Sequence, residues 1–117
     1  METSIFDSNK GLGFVDNDMS LYNELLDSYL TDNKFDFDYF KSLIQKDNLK
    51  AASYIHRIKG ASVQIGADKF YEIGQNLEDV LKDKKTGDLQ KLATDAISCY
   101  KLTIQAIIDY QKLQQNS

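Results

Sequence analysis

The chain has 117 residues, of which 42% are hydrophobic and 27% are charged, and its net charge is -4. These values predict one folded domain and exclude a disordered chain. The negative charge argues against nucleic acid as a partner, because binding to a phosphate backbone depends on an excess of lysine and arginine.

The absence of proline and of any strand pattern predicts an all-α fold. Residues 1–16 are predicted to form a short helix or turn, and residues 18–46 the first long helix, with apolar side chains recurring every three or four positions. The segment TDNKFDFD, residues 31–38, contains residues that cap or kink a helix. The pattern therefore fits either one helix kinked near residues 31–36 or two helices joined end to end.

Three further helices are predicted at residues 48–65, 67–84 and 88–115, with Gly66 ending the first of them. The last helix carries a stripe of small and apolar residues, formed by Leu92, Ala96, Cys99, Thr103, Ala106 or Ile107, Tyr110 and Leu113. Short connections make neighbouring helices antiparallel. We therefore expect a single domain, residues 1–117, built as an antiparallel up-down four-helix bundle with a short N-terminal helix.

The counts of cysteine and histidine limit the possible sites and compartments. One cysteine, Cys99, cannot form an internal disulfide, and together with one histidine it cannot complete a zinc site of the usual kind. No apolar segment approaches the roughly 18 residues of a membrane span, and no leader pattern is evident at the start. We expect a cytoplasmic protein without a metal site, and a monomer, because no second apolar face is evident.

The single histidine, His56, is predicted to point away from the bundle. On a helix with about 100° per residue, Ala51, Ile55, Ile58 and Ser62 define the buried stripe, and His56 lies about 160° from its centre. The outer face around it carries few charged side chains and consists of Leu49, Ala52, Ser53, Gly60 and Val63.

Gly60 lies one helical turn after His56, where a glycine costs about 1 kcal/mol relative to alanine. A missing side chain at this position leaves room for a bulky group on the imidazole and for the backbone of another protein. Lys59 lies on the flank of the same face and can bring its ammonium near a negative group on the ring.

The predicted hairpin around Gly66 and Ala67 brings a carboxylate level with the histidine. Residues equally distant from the turn lie at the same height on the two helices, and this rule pairs His56 with Glu78. Glu78 is predicted at the boundary of the buried stripe of its helix, where it can accept a proton from one ring nitrogen and leave the other as a nucleophile. The alternative is that Glu78 is an ordinary solvated acid.

The stretch HRIKGASVQIGA, residues 56–67, resembles the signature of histidine-containing phosphotransfer (HPt) domains. In that signature the histidine is followed by a variable residue, an aliphatic residue, Lys-Gly, two small residues, two variable residues, a further aliphatic residue, Gly and usually Ala. The resemblance extends to DNLKAASYIH with Asp47, to NLED with Glu78 and to LYNELLDSYL, and so covers nearly the whole chain. Ala61 replaces a frequent serine, which is a mild departure.

The resemblance implies a phosphorelay intermediate in two-component signal transduction. His56 would accept a phosphoryl group from a phospho-aspartate on one receiver domain and pass it to another. Lys59 would screen the phosphoryl charge, Gly60 would keep the approach clear, Glu78 would orient the ring, and Gln64 would be a polar neighbour.

The partners implied are receiver domains of response regulators or of a hybrid histidine kinase, with Mg²⁺ supplied by the receiver. The chain would be a phosphocarrier without cofactors of its own and not an enzyme, since it has no Gly-rich phosphate loop. The expected docking surface consists of Ala52, Ser53, Arg57, Lys59, Gly60, Val63 and Lys69.

Two alternatives remain at the level of sequence. The chain could be a helical adaptor that binds partner helices and carries no phosphate. It could also be an acid-base enzyme that uses His56 and Glu78, but that chemistry requires a concave pocket, which an outward helix face is ill suited to provide.

Overall fold

The computed structural model describes residues 3–115, and within that range the chain is all-helical, with six helices and no strand. The helices are α1 (Ser8–Gly13), α2 (Met19–Asp32), α3 (Phe37–Lys46), α4 (Asn48–Gln64), α5 (Asp68–Leu81) and α6 (Leu89–Gln115). The 27 residues of α6 span about 40 Å and so set the long dimension of the molecule, which is 46 Å.

Aspartate side chains define most of the helix starts. In five of the six helices an aspartate carboxylate accepts a hydrogen bond from a backbone N–H of the first turn, which would otherwise lack a partner. These residues are Asp7, Asp18, Asp36, Asp47 and Asp88. The helix boundaries therefore follow from local sequence.

The chain between residues 18 and 46 forms two helices. α2 ends at Asp32, and Asp36 caps α3, so the segment between them is not helical. Phe35 lies in this break and is buried, with its ring 5.2 Å from that of Phe40 and 5.8 Å from that of Tyr100, centroid to centroid. The break thus inserts an aromatic side chain into the core, which a continuous amphipathic helix would not predict.

The core is formed from one face of each long helix. Fully buried side chains of α2, α4, α5 and α6 meet there, including Tyr22, Leu26, Ile55, Ile58, Phe70, Leu77 and Ile107. Within the stripe predicted for α6, Ala96, Cys99 and Thr103 are buried, but Leu113 is 70% exposed.

α4 and α5 form an antiparallel hairpin. Gly66 joins them with φ +90°, a left-handed conformation that glycine adopts without strain, and a Cβ there would meet the carbonyl oxygen of Asp7 at 2.1 Å. His56 contacts Glu78, and Lys59 contacts Gln75, so residues equally distant from Ala67 meet across the hairpin. This geometry positions the candidate site.

Candidate functional site

The sequence of α4 places His56 in the middle of a helix that is held at both ends. The carboxylate of Asp47 accepts hydrogen bonds from the backbone N–H groups of Leu49 and Lys50, and Gly66 ends the helix. Ile55 and Ile58, on either side of the histidine, are fully buried and fix the rotation of the helix about its axis. The His56 side chain is consequently 65% exposed.

The exposed ring of His56 contacts a buried carboxylate. His56 Nδ1 lies 2.9 Å from Glu78 Oε1, and the Glu78 side chain is only 6% exposed. Because an ionised carboxylate only accepts hydrogen bonds, this contact selects the tautomer that carries its proton on Nδ1. Nε2 then keeps its lone pair and directs it away from Glu78. The alternative that Glu78 is an ordinary solvated acid is wrong, because its side chain is nearly buried.

Glu78 is surrounded by cationic and hydrogen-bonding partners. Lys59 Nζ lies 3.2 Å from Oε1, and Lys82 Nζ lies 2.9 Å from Oε2. Burial alone would raise the pKa of Glu78, but the hydrogen bonds from Lys82, His56 and Lys59 outweigh it and lower the pKa to about 2. Glu78 is therefore ionised at neutral pH, as the tautomer argument requires.

Lys59 lies inside the hairpin and not on an open flank. Its side chain is 7% exposed, its ammonium donates to Gln75 Oε1, and it lies 5.1 Å from the centre of the Tyr71 ring. Gly74 makes this possible, since a Cβ there would lie 2.9 Å from Lys59 Cβ. The prediction that Lys59 belongs to an exposed docking surface is wrong, because the close approach of α5 covers it.

Ala52 also differs from its predicted place on the outer face. It is fully buried, because α4 contacts both α3 and α5 and its buried sector is wider than the single stripe assumed from the sequence. Its short side chain suits that packing. Ala52 is therefore not available for docking.

The remaining predicted residues of the outer face stay accessible. Ser53 and Arg57 are exposed, Val63 is half-buried, and Gln64 is exposed two turns beyond His56. At Gly60 an added Cβ would meet no atom within 4 Å. The space one turn beyond the imidazole is therefore open, as the argument from spacing predicts.

Lys69 is not brought to the histidine. It lies in the first turn of α5, level with the end of α4 and roughly 13 Å along the helix from His56, and its ammonium lies 3.6 Å from Glu72. The predicted docking surface, which includes Arg57, Lys59 and Lys69, therefore carries less positive charge near the ring than its composition indicates. Lys59 is paired with Glu78, so Arg57 is the one of these three basic residues that is exposed and adjacent to His56 in the chain.

Sequence reasoning missed Lys82, which pairs with Glu78, and Gln75, which accepts a hydrogen bond from Lys59. Lys82 follows Glu78 by four positions at the end of α5, and Gln75 precedes it by three, so all three side chains share one side of the helix. Gln75 in turn donates its amide hydrogen to Asp79 Oδ1 at 2.9 Å. Helical spacing from Glu78 alone could have identified these residues.

Cys99 is buried, and its burial raises the pKa of the thiol.

Within residues 3–115, no group of three or more His, Cys, Asp or Glu side chains converges as a metal site. None of the helices in this range is long and apolar enough to cross a bilayer.

The chain was also compared with known proteins. A scan against protein-family models finds no match, and searches of curated proteins and of solved structures find none either.

Proposed function

We propose that the protein is a phosphorelay intermediate of the HPt type, which accepts a phosphoryl group on His56 from a receiver-domain phospho-aspartate and passes it to another receiver. One observation carries the proposal: a largely exposed imidazole has its Nδ1 held by a buried, ionised carboxylate. Such a ring presents Nε2 as an oriented nucleophile on a convex surface. The resemblance of residues 56–67 to the HPt signature supplies the reaction class.

The transfer step is a displacement at phosphorus. The lone pair of Nε2 forms the new N–P bond while the bond between phosphorus and the aspartate oxygen breaks, and the carboxylate leaves with its electron pair. The ring keeps its proton on Nδ1 and becomes positively charged. Glu78 stabilises that charge at 2.9 Å, in the same way as a carboxylate stabilises a catalytic imidazolium. The reverse step restores the neutral ring.

Gly60 supports the proposal because it leaves space for the phosphoryl group and for the backbone of a receiver. An added Cβ would meet nothing within 4 Å, so packing within the chain does not require this glycine. A glycine in the interior of a helix still lowers helix stability by about 1 kcal/mol. Access to His56 offers a reason for that cost.

In this proposal the protein is a carrier and not an enzyme. The receiver supplies Mg²⁺ and the charges that assist in-line transfer, and the chain supplies the acceptor nitrogen and its orientation. The docking surface consists of the accessible residues around the ring, namely Ser53, Arg57, Gly60, Val63 and Gln64. Tyr39 and Leu49 extend it as exposed apolar side chains beside Ser53 and Arg57. The protein would act as a cytoplasmic monomer.

The proposed arrangement of the helices is the up-down bundle of HPt domains. The hairpin of α4 and α5 supports it, and α6 packs against α5 and contacts α2. α3 lies against α4, so α2 and α3 together would fill the place of one long helix. α1 would be the short N-terminal addition.

The decisive experiment is phosphoryl transfer from a panel of phosphorylated receiver domains in the presence of Mg²⁺. The expected product is a phosphoprotein whose phosphate is labile in acid and stable in alkali. His56→Gln should abolish labelling, and circular dichroism should show that this variant keeps its fold because the side chain is mostly exposed. Labelling that persists in His56→Gln would contradict the proposal by excluding His56 as the acceptor. A protein that no receiver labels would also contradict it and would favour a helical adaptor.

A further inference from the structure

The carboxylate of Glu78 poses a problem for a nucleophilic histidine. A lone carboxylate 2.9 Å from a ring nitrogen favours the protonated imidazolium, which has no free lone pair and cannot attack phosphorus. The same contact is needed to orient the ring. A nucleophilic ring therefore needs the orienting contact with Glu78, but the negative charge that this carboxylate exerts on the ring has to be reduced.

Two lysines meet this requirement from opposite sides of the carboxylate. Lys59 Nζ lies 3.2 Å from Oε1, the oxygen that His56 also contacts, and Lys82 Nζ lies 2.9 Å from Oε2. Together they more than balance the single negative charge of Glu78. The other charged groups nearby are Arg57, which follows His56 in the chain, and Asp79, which is held by Gln75.

The two lysines reach Glu78 from different environments. Lys59 is enclosed by Gln75 and Tyr71, and its stem packs where Gly74 lacks a side chain. Lys82, the residue that caps the C-terminus of α5, follows Glu78 at the four-residue spacing, and its side chain is 36% exposed. The hairpin therefore fixes the approach of Lys59, whereas Lys82 approaches the carboxylate from the surface.

We propose that Lys59 and Lys82 are positioning residues, which act through Glu78 to keep the His56 ring oriented and neutral, with its one proton on Nδ1. Glu78 stays ionised and accepts the hydrogen bond from Nδ1, while the two ammonium groups offset part of the negative charge that acts on the ring. Lys59 has this role in place of contact with the phosphoryl group. The inference rests on the proposed function only for its effect on transfer, since its effect on the ring can be measured without a partner.

The single histidine makes the experiment direct, because a ring C–H signal that titrates in a proton NMR spectrum cannot come from another histidine. Lys82→Met removes one cation from Glu78 and leaves the buried Lys59 untouched. We expect the midpoint of the ring titration to move upward by about half a pH unit relative to the wild type, as expected for the loss of one partly screened charge. Glu78→Gln should move it in the opposite direction.

Lys84→Met is the matched control, because it makes the same change in net charge at an exposed residue just beyond α5. An equal shift in Lys82→Met and Lys84→Met, or no shift in either, would overturn the inference. Lys59→Met is a second variant in which the midpoint of the ring titration should move upward. Circular dichroism would check that this variant keeps its fold.

The transfer reaction provides an independent readout. As the pH is lowered, the rate of phosphoryl acceptance should begin to fall at a higher pH in Lys82→Met than in Lys84→Met. At alkaline pH, where the ring is neutral in both variants, the two rates should be the same. If no receiver labels the wild type, the proposed function fails, but the NMR comparison still decides the role of the lysines.

Discussion

His56 and Glu78 join an exposed imidazole to a carboxylate that is almost fully buried, across 2.9 Å and between two helices. The burial of Glu78 has the consequence that the ring is oriented from inside the hairpin, while its other nitrogen remains free for a partner. The first prediction concerns the removal of this carboxylate.

Glu78→Gln should slow phosphoryl acceptance by about tenfold to a hundredfold, because the amide cannot stabilise the positive charge of the phosphorylated ring. It should also lower the free energy of unfolding by about 1–3 kcal/mol, because the nearly buried ammonium of Lys59 loses its carboxylate. A time course of phosphoryl transfer would measure the change in rate, and urea unfolding would measure the change in stability. Glu24→Gln, at an exposed position of α2, is the control and should change neither.

The lowered pKa of Glu78 predicts how its contribution to stability varies with pH. Because the folded-state pKa, about 2, lies below the ordinary value of 4.5, the stabilisation is fully present above pH 4.5 and is lost as the pH falls toward 2. The difference in unfolding free energy between the wild type and Glu78→Gln should therefore shrink as the pH falls from 4.5 to 2. A difference that grows over this range would contradict the assignment.

Two glycines in the hairpin should respond to alanine in opposite ways. Gly60→Ala should raise the free energy of unfolding by about 0.5–1 kcal/mol, because the new Cβ enters open space and alanine favours the helix. Gly74→Ala should lower it, because the Cβ would lie 2.9 Å from Lys59 Cβ and would force α4 and α5 apart. Denaturant unfolding of both variants, measured in parallel, tests the pair.

Gly60→Gln extends the same argument to function. The variant should fold as well as the wild type, but a long side chain beside His56 should obstruct the phosphoryl group and the docking receiver. We expect transfer to slow while the NMR titration of His56 stays close to that of the wild type. Unchanged transfer rates would show that access does not explain this glycine.

Tyr22 supplies a prediction about the fold at the end of α4. Its hydroxyl, which is fully buried, donates a hydrogen bond to the backbone carbonyl of Ile65 at 2.7 Å. Tyr22→Phe leaves that carbonyl without this donor and should lower the free energy of unfolding by about 1–2 kcal/mol. Tyr39→Phe, at an exposed ring on α3, should have almost no effect.

Much of the helical structure could be predicted from sequence because local interactions decide it. Aspartates cap the helices, Gly66 ends α4, and apolar spacing indicates the face that is buried. The break between α2 and α3 could be suspected but not decided, because its outcome depends on the burial of Phe35 among rings from α3, α4, α5 and α6.

Helix periodicity and the position of one turn are enough to predict that His56 faces outward, that Gly60 leaves space beside it and that Glu78 lies level with it. The burial of Ala52 and Lys59, which periodicity assigned to an open surface, depends instead on contacts between helices. Their burial depends on how closely α3 and α5 approach α4, and the absence of a side chain at Gly74 is what permits the approach of α5.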